Sequence, residues 1–291
     1  MRQKEVYTAD TDKLLEFSTE LFKHRLLPNC KFPVGEEVRK FADEMLAVIF
    51  PHYSDKLYYS PEEIKAELTL LKGRLIRILS PVCTANTSDS EEIAGYFLSR
   101  IPEIHELLLL DAAAMEKGDP AASSIDEVII TYPGFFAVAI YRMANIFYQM
   151  DVSLLPRLLT EYANQRTGID INPGARIGRS FCIDHGNGIV IGETSVIGDN
   201  VKIYQGVTLG ALSVKKELAK QKRHPTIEDN TVIYSSATIL GGRTVIGQGS
   251  VIGGNVWLTE SVPPGSVVYH KSEVHVRKPG EELKEPINFV I

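Results

Sequence analysis

Asp184 and His185 stand side by side in CIDHGNGIVIG, residues 182–192. A neutral imidazole titrates near the working pH and can take a proton from a hydroxyl as a new bond forms. A carboxylate on its other ring nitrogen would fix the tautomer and stabilise the imidazolium. His185 is therefore the candidate general base. Cys182 offers a second nucleophilic chemistry, an acyl-cysteine route. It precedes an inward-facing Ile183, so strand alternation turns it away from the core.

These residues fall where a regular pattern breaks. Ile171, Ile177 and Ile183 are six apart, and the next run is Ile191, Ile197, Ile203 and Leu209. The step from Ile183 to Ile191 is eight. After residues 211–222 the period resumes as Ile227, Ile233, Ile239, Val245, Val251 and Trp257. A fixed six-residue period rich in Val, Ile, Gly, Asn and Thr predicts a parallel β-helix whose inward residues stack into one apolar column. A polar cluster must leave such a column to be useful. The slip lets the chain bulge at Gly186 and Gly188 and project Asp184 and His185 into a groove.

Ahead of the coil the grammar is helical. Val38, Phe41, Ala42, Met45 and Ile49 form one stripe, and Ser60, Pro61 and Glu63 read as a cap, a first helical residue and a capping box. The expected organisation is a helical region 1–165, a β-helix 166–270 carrying the insertion 211–222, and a tail 271–291. The formal charge of −6 argues against a nucleic-acid binder. No apolar run reaches the length of a membrane span, and MRQKEVYTADTDK lacks the apolar core of a signal peptide. Cys30, Cys83 and Cys182 show no C-x-x-C spacing, which reads as a cytoplasmic protein with reduced thiols.

Repeats of the form IGDNVK resemble those of the hexapeptide-repeat acyltransferases, which implies an α+β fold with a left-handed parallel β-helix. DINPGARIG, IDHGNGIVIGET, YQGVTLGAL and KRHPTIEDN, in this order behind a helical half, are similar to serine O-acetyltransferases over roughly residues 119 to 270. Asn187 and Asn145 depart from that pattern, where threonine and histidine are common. The resemblance implies acetyl transfer from acetyl-CoA to the L-serine hydroxyl, in cysteine biosynthesis. It makes Asp170 the carboxylate partner of His185, although Asp170 alone also fits an Asx-turn before Pro173. It places Asp119 and Asp184 around the serine ammonium, and Arg223 and His224 against its carboxylate. Standing alone, the Asp119–Pro120 pair is an ordinary helix boundary.

The family lays the pantetheine arm of the co-substrate along the coil edges, and Gly210, Ala211, Ser235, Ser236 and Ala237 are the candidates here. Lys215, Lys216, Lys220 and Lys222 in the insertion would suit phosphates or simply form a solvated surface. No metal is expected: a zinc-dependent lyase on this fold needs three converging histidines, and only His185 and His224 lie among the rungs, with His270 beyond them. The remaining alternatives are an acyltransferase for another small hydroxyl acceptor, an amino acid or a sugar, and a non-catalytic scaffold. The resemblance further implies L-cysteine as feedback inhibitor, a homotrimer or hexamer with sites between adjacent coils, and docking of the C-terminal Ile291 into cysteine synthase. Charged, proline-containing tails such as this one are otherwise commonly disordered.

Overall fold

The computed structural model describes residues 11–25, 35–81, 87–212 and 221–271. Seven helices come first among them: α1 (Thr11–Arg25), α2 (Gly35–Ile49), α3 (Pro61–Leu79), α4 (Thr87–Gly118), α5 (Ile125–Thr131), α6 (Pro133–Gln149) and α7 (Leu155–Thr167). The stripe expected on α2 is buried at Val38, Phe41, Ala42 and Met45. Ser60 caps α3 by accepting from the Glu63 backbone N–H, while Glu63 reaches back to the N–H of Tyr59, one residue before the cap. α6 is buried along most of its length and is the core of the helical layer. No single described helix is long and apolar enough to cross a membrane; α5 and α6 pass together only as a pair bent by 76°.

The strands that follow wind around three faces. Face one holds β1 (Asp170–Ile171), β4 (Val190–Ile191), β7 (Thr208–Gly210), β10 (Thr238–Leu240) and β13 (Trp257–Leu258). Face two holds β2 (Arg176–Ile177), β5 (Val196–Ile197), β8 (Thr226–Ile227) and β11 (Val245–Ile246). Face three holds β3 (Cys182–Asp184), β6 (Lys202–Tyr204), β9 (Val232–Ile233), β12 (Val251–Ile252) and β14 (Val267–Val268). Every pairing is parallel, with Ile171 opposite Ile191, Ile177 opposite Ile197 and Ile183 opposite Ile203. Stacked isoleucines thus fill the interior, and no rung could bury its apolar face alone.

The column departs from the expected ladder near its end. Val245, Val251 and Trp257 face outward, Trp257 with 67% exposure, and Ile246, Ile252 and Leu258 take their inward places. The corner between Leu240 and Val245 carries one extra residue, closed by the Thr244 N–H donating to Gly241 at its φ of 105°. A one-residue slip in a period-two strand exchanges the faces of every later side chain.

A buried ion pair joins the two layers. Arg142 of α6 grips Asp111 of α4 with Nε and Nη2, at 2.6 and 2.8 Å. Both bond the coil as well: Arg142 donates to the Gly178 carbonyl, and Asp111 accepts from the Phe181 N–H. Burial pushes the Asp111 carboxyl up and Arg142 draws it back. Fully hydrogen-bonded on both sides, the pair fixes how α4 meets β3. Asn145 adds a second tie, donating to the carbonyls of Pro173 and Ala175.

Candidate active site

The bulge after β3 is built from left-handed residues: His185 at φ 57°, Gly186 at 84° and Gly188 at 78°. Positive φ is rare outside glycine and carries a cost that a site can hold in place. Here the fold imposes it through the Gly186 N–H donating to Asp184 and the Gly188 N–H donating to Gly168. The result is a histidine side chain 74% exposed beside an Asp184 carboxylate that is only 12% exposed. Nε2 of His185 lies 3.7 Å from Asp184 Oδ1, inside ion-pair reach and too long for a hydrogen bond.

Asp119 converges on the same place from the helical layer. It follows the end of α4 and accepts from the Tyr132 hydroxyl at 2.6 Å and from the Ala121 N–H at 2.8 Å. These two bonds lower its pKa, and the charges of Lys202 and His185 reinforce the shift. The Tyr132 hydroxyl is pushed up to about 12 by the same contact. Lys202 of β6 closes the cluster, its Nζ 2.9 Å from Asp184 Oδ2 and 2.6 Å from the Gly118 carbonyl. Neither Tyr132 nor Lys202 was singled out from sequence. Both are recognised only through partners on other elements.

Asp170 reaches the bulge through its backbone, its N–H donating to Ile189. Its carboxylate is aimed elsewhere: the nearest cation is Arg157, 3.9 Å away, and no bond to His185 forms within the chain. Half-burial raises its pKa, with Arg157 opposing.

Arg223 and His224 occupy a different corner. His185 links face three to face one, whereas Arg223 and His224 precede β8 and link face one to face two. The two corners are separated by the width of face one, roughly 15–20 Å at ordinary strand rise. His224 is 8% exposed, and its Nδ1 accepts from the Thr194 N–H at 3.0 Å. That bond leaves the proton on Nε2 and makes the neutral ring a donor. Burial, aided by Arg223, depresses its pKa to about 4. The ring lies so close to Gly192 that a Cβ there would meet it at 1.9 Å. Arg223 pairs with Glu193, whose other oxygen accepts from Tyr148 at 2.8 Å. Burial would raise the Glu193 pKa, but Tyr148 and Arg223 outweigh it. The GET run at 192–194 is thus the seat of the KRHP segment, a link the sequence held without showing.

The insertion's phosphate-binding reading fares differently at its two ends. Lys215, Lys216 and Lys220 lie outside the described residues. Lys222 bends inward, its Nζ donating to the carbonyls of Thr194 and His224, and burial lowers its pKa. Its backbone packs against Gly242, where a Cβ would come within 2.0 Å of the Lys222 carbonyl. Among the pantetheine candidates, Ser235 and Ser236 run along the His185 corner, the Ser236 N–H donating to Gln205. Ala237 is a core residue with its carbonyl bonded to Thr208, and Gly210 and Ala211 sit at the His224 corner. The two groups do not adjoin within one chain.

Cys182 does turn out of the coil, yet it is 5% exposed because α4 covers it. Burial pushes its thiol up to about 12. A thiol held so far from ionisation is a poor nucleophile, which disfavours the acyl-cysteine route. No group of three or more potential metal ligands occurs among the described residues. Ile291 lies outside them.

A β-helix of six-residue repeats that turns a histidine out where the repeat breaks is the architecture of the hexapeptide-repeat acyltransferases. No protein-family model matches the chain. It is 42% identical over 280 residues to a plasmid serine acetyltransferase of Synechococcus elongatus, covering 88% of each chain. Its fold superposes on isoform 3 of serine acetyltransferase from Entamoeba histolytica, solved with cysteine, at a TM-score of 0.73 and 36% identity, over 81% of this chain and 84% of that one. A serine acetyltransferase solved with CoA matches at a TM-score of 0.54 and 25% identity, over 80% of this chain and 95% of that one. The chain belongs to the serine acetyltransferase family.

Proposed function

We propose that the protein transfers acetyl from acetyl-CoA to the hydroxyl of L-serine, giving O-acetyl-L-serine and CoA, with His185 as general base. The observation that carries this is the convergence of an out-turned His185 with Asp184 and Asp119 at the corner where the coil takes an eight-residue step. A serine hydroxyl is a poor nucleophile until its proton is taken as the bond forms. His185 removes it while the oxygen attacks the thioester carbon. The tetrahedral adduct then collapses, the C–S bond breaks, and the imidazolium returns the proton to the CoA sulfur. Asp119 and Asp184 meet the ammonium. Asp170 is the proposed orienting partner of His185, supported by its backbone bond to the bulge, and it must leave Arg157 to act.

The acceptor carboxylate is assigned to Arg223 and His224, whose Nε2–H is a preset donor. Because they stand a face away from His185, one chain holds only half of each site. A ring of chains about a threefold axis can set the His224 corner of one coil against the His185 corner of the next. The outward Val190 and Trp257 on face one, both exposed in the single chain, suit such a contact. The large apolar residues exposed on α1, among them Leu14, Phe17 and Phe22, suit pairing of trimers into a hexamer. The pantetheine arm is assigned to the same seam, between Ser235 and Ser236 of one chain and Gly210 and Ala211 of its neighbour.

L-cysteine, differing from serine by one atom at the nucleophile, is the proposed feedback inhibitor of this pocket. Ile291, a β-branched residue with a free carboxylate, is proposed to enter the active site of cysteine synthase in the manner of an amino-acid substrate. The protein is proposed to work in the cytoplasm.

The test is thiol release from acetyl-CoA with L-serine, L-threonine, L-homoserine and sugars as acceptors. Release driven by serine and lost in His185→Ala supports the reading. Release with another acceptor alone would replace the substrate, and silence with all would overturn the activity.

A further inference from the structure

Lys202 pairs with Asp184 at the His185 corner, and no step above uses it. Its strand lies beside β3, with Lys202 opposite Cys182 and Tyr204 opposite Asp184. The ammonium makes three contacts. It pairs with Asp184 at 2.9 Å, donates to the Gly118 carbonyl at 2.6 Å, and rests 4.4 Å from the centroid of the Tyr204 ring. Gly118 ends α4, so its carbonyl is one of those a helix leaves without an internal partner, and a cation there also complements the helix dipole. The next residue is Asp119. Lys202 therefore touches the coil's acid directly and the helical layer's acid through one peptide bond.

We propose that Lys202 is a positioning residue of the acceptor pocket: it holds Asp184 and the Gly118–Asp119 turn in one frame and leaves that pair of acids a single net negative charge, matched to one substrate ammonium. This deepens the reading of Asp119 and Asp184 given above and rests on it. Burial works against the charged form of Lys202, but its contacts with Tyr204 and Asp184 outweigh burial and hold its pKa above the ordinary lysine range. It is thus a permanent cation at working pH.

Two effects of removing it compete. An uncompensated second carboxylate would attract the ammonium more strongly, provided Asp184 stayed in place. Asp184 is only 12% exposed, and a buried carboxylate that loses its partner swings towards water. That movement withdraws it from the ammonium, so loss of binding wins. Docking of α4 onto the coil also rests on Asp111, which bonds Arg142 and accepts from the Phe181 N–H.

The experiment is steady-state kinetics on the full chain with Lys202→Met, Lys202→Arg, Asp184→Asn and the Lys202→Met/Asp184→Asn double variant. Lys202→Met is expected to raise the serine KM about tenfold or more. The acetyl-CoA KM should stay within about twofold, and Lys202→Arg should recover most of the loss. The double variant should lose less serine binding than the product of the two single losses, because Lys202 and Asp184 act as a pair. An unchanged serine KM in Lys202→Met, or equal rises in both KM values with a lower melting temperature, overturns the proposal. If Lys202→Met fails to fold, Lys202→Gln, whose amide still donates to Gly118, carries the same expectations. Asp119→Asn and Asp184→Asn both leaving the serine KM untouched would instead sink the acid assignment itself.

Discussion

The two histidines of the coil stand at opposite edges of one face and are held in opposite ways. His185 sits on left-handed backbone with its ring largely in solvent and no hydrogen bond to fix it among the described residues. His224 is nearly covered, accepts from the Thr194 N–H, and lies flat on Gly192. The first arrangement leaves both ring nitrogens open to exchange a proton. The second fixes one tautomer and keeps the ring neutral, which suits a donor that never titrates in the reaction. A repeat that packs isoleucine at every rung makes each arrangement by a different local break: a bulge for His185, and a chain returning from an insertion for His224.

Removing the exposed ring should separate the two roles most sharply. His185→Ala is expected to lower kcat about a thousandfold, in the range for loss of a general base. Its melting temperature should match the parent, since the side chain is 74% exposed. A preserved rate would end the assignment of base.

The buried histidine is best attacked through its floor. Gly192→Ala would drive a Cβ into the His224 ring. The expected cost is about 2 kcal/mol of stability, as for overpacking elsewhere, together with a serine KM raised about tenfold. An unchanged KM would mean that His224 does not meet the acceptor.

The pH dependence of stability gives the contrast its thermodynamic form. His224 has a folded pKa of about 4 against an ordinary value near 6.5, so between these values the unfolded chain binds the proton and the folded chain does not. Stability is therefore retained above about pH 6.5 and falls as pH drops towards 4, by about 3 kcal/mol at most. Urea unfolding from pH 7 to 4 should show that slope reduced in His224→Gln and unchanged in His185→Ala. Equal slopes in all three would show that His224 is not held neutral.

The smallest effect is expected at Cys182. With its thiol raised to about 12 under α4, Cys182→Ala should leave kcat within about twofold and cost about 1 kcal/mol through the lost packing. A large fall in kcat with normal stability would restore the acyl-cysteine route.

Periodicity made the coil legible, because inward residues of a solenoid repeat along the chain itself. The eight-residue step from Ile183 to Ile191 marked the bulge for the same reason. The period misled where another residue entered: Val245, Val251 and Trp257 continue the count of six, and only the extra residue at the Gly241–Gly242 corner puts Ile246 and Ile252 inside. Cys182 shows the matching limit for burial. Alternation turns it out of the coil, and only α4 decides that outside is not solvent.

The site divides along the same line. Asp184 and His185 stood out because they sit at a break in the period, which is visible without any fold, whereas Arg223 and His224 were reached through the family resemblance. Lys202 and Tyr132 did not stand out, since each looks ordinary among its neighbours in sequence and gains its meaning from a partner on another element. The Lys202 bond to Gly118 spans 84 residues. The sequence by itself determined which face of each early rung is apolar and where the rungs fail, since short-range spacing sets both. Only the tertiary structure decided which acids share a cation and which histidine is dry, because charge pairing and burial depend on chain segments that meet only after folding.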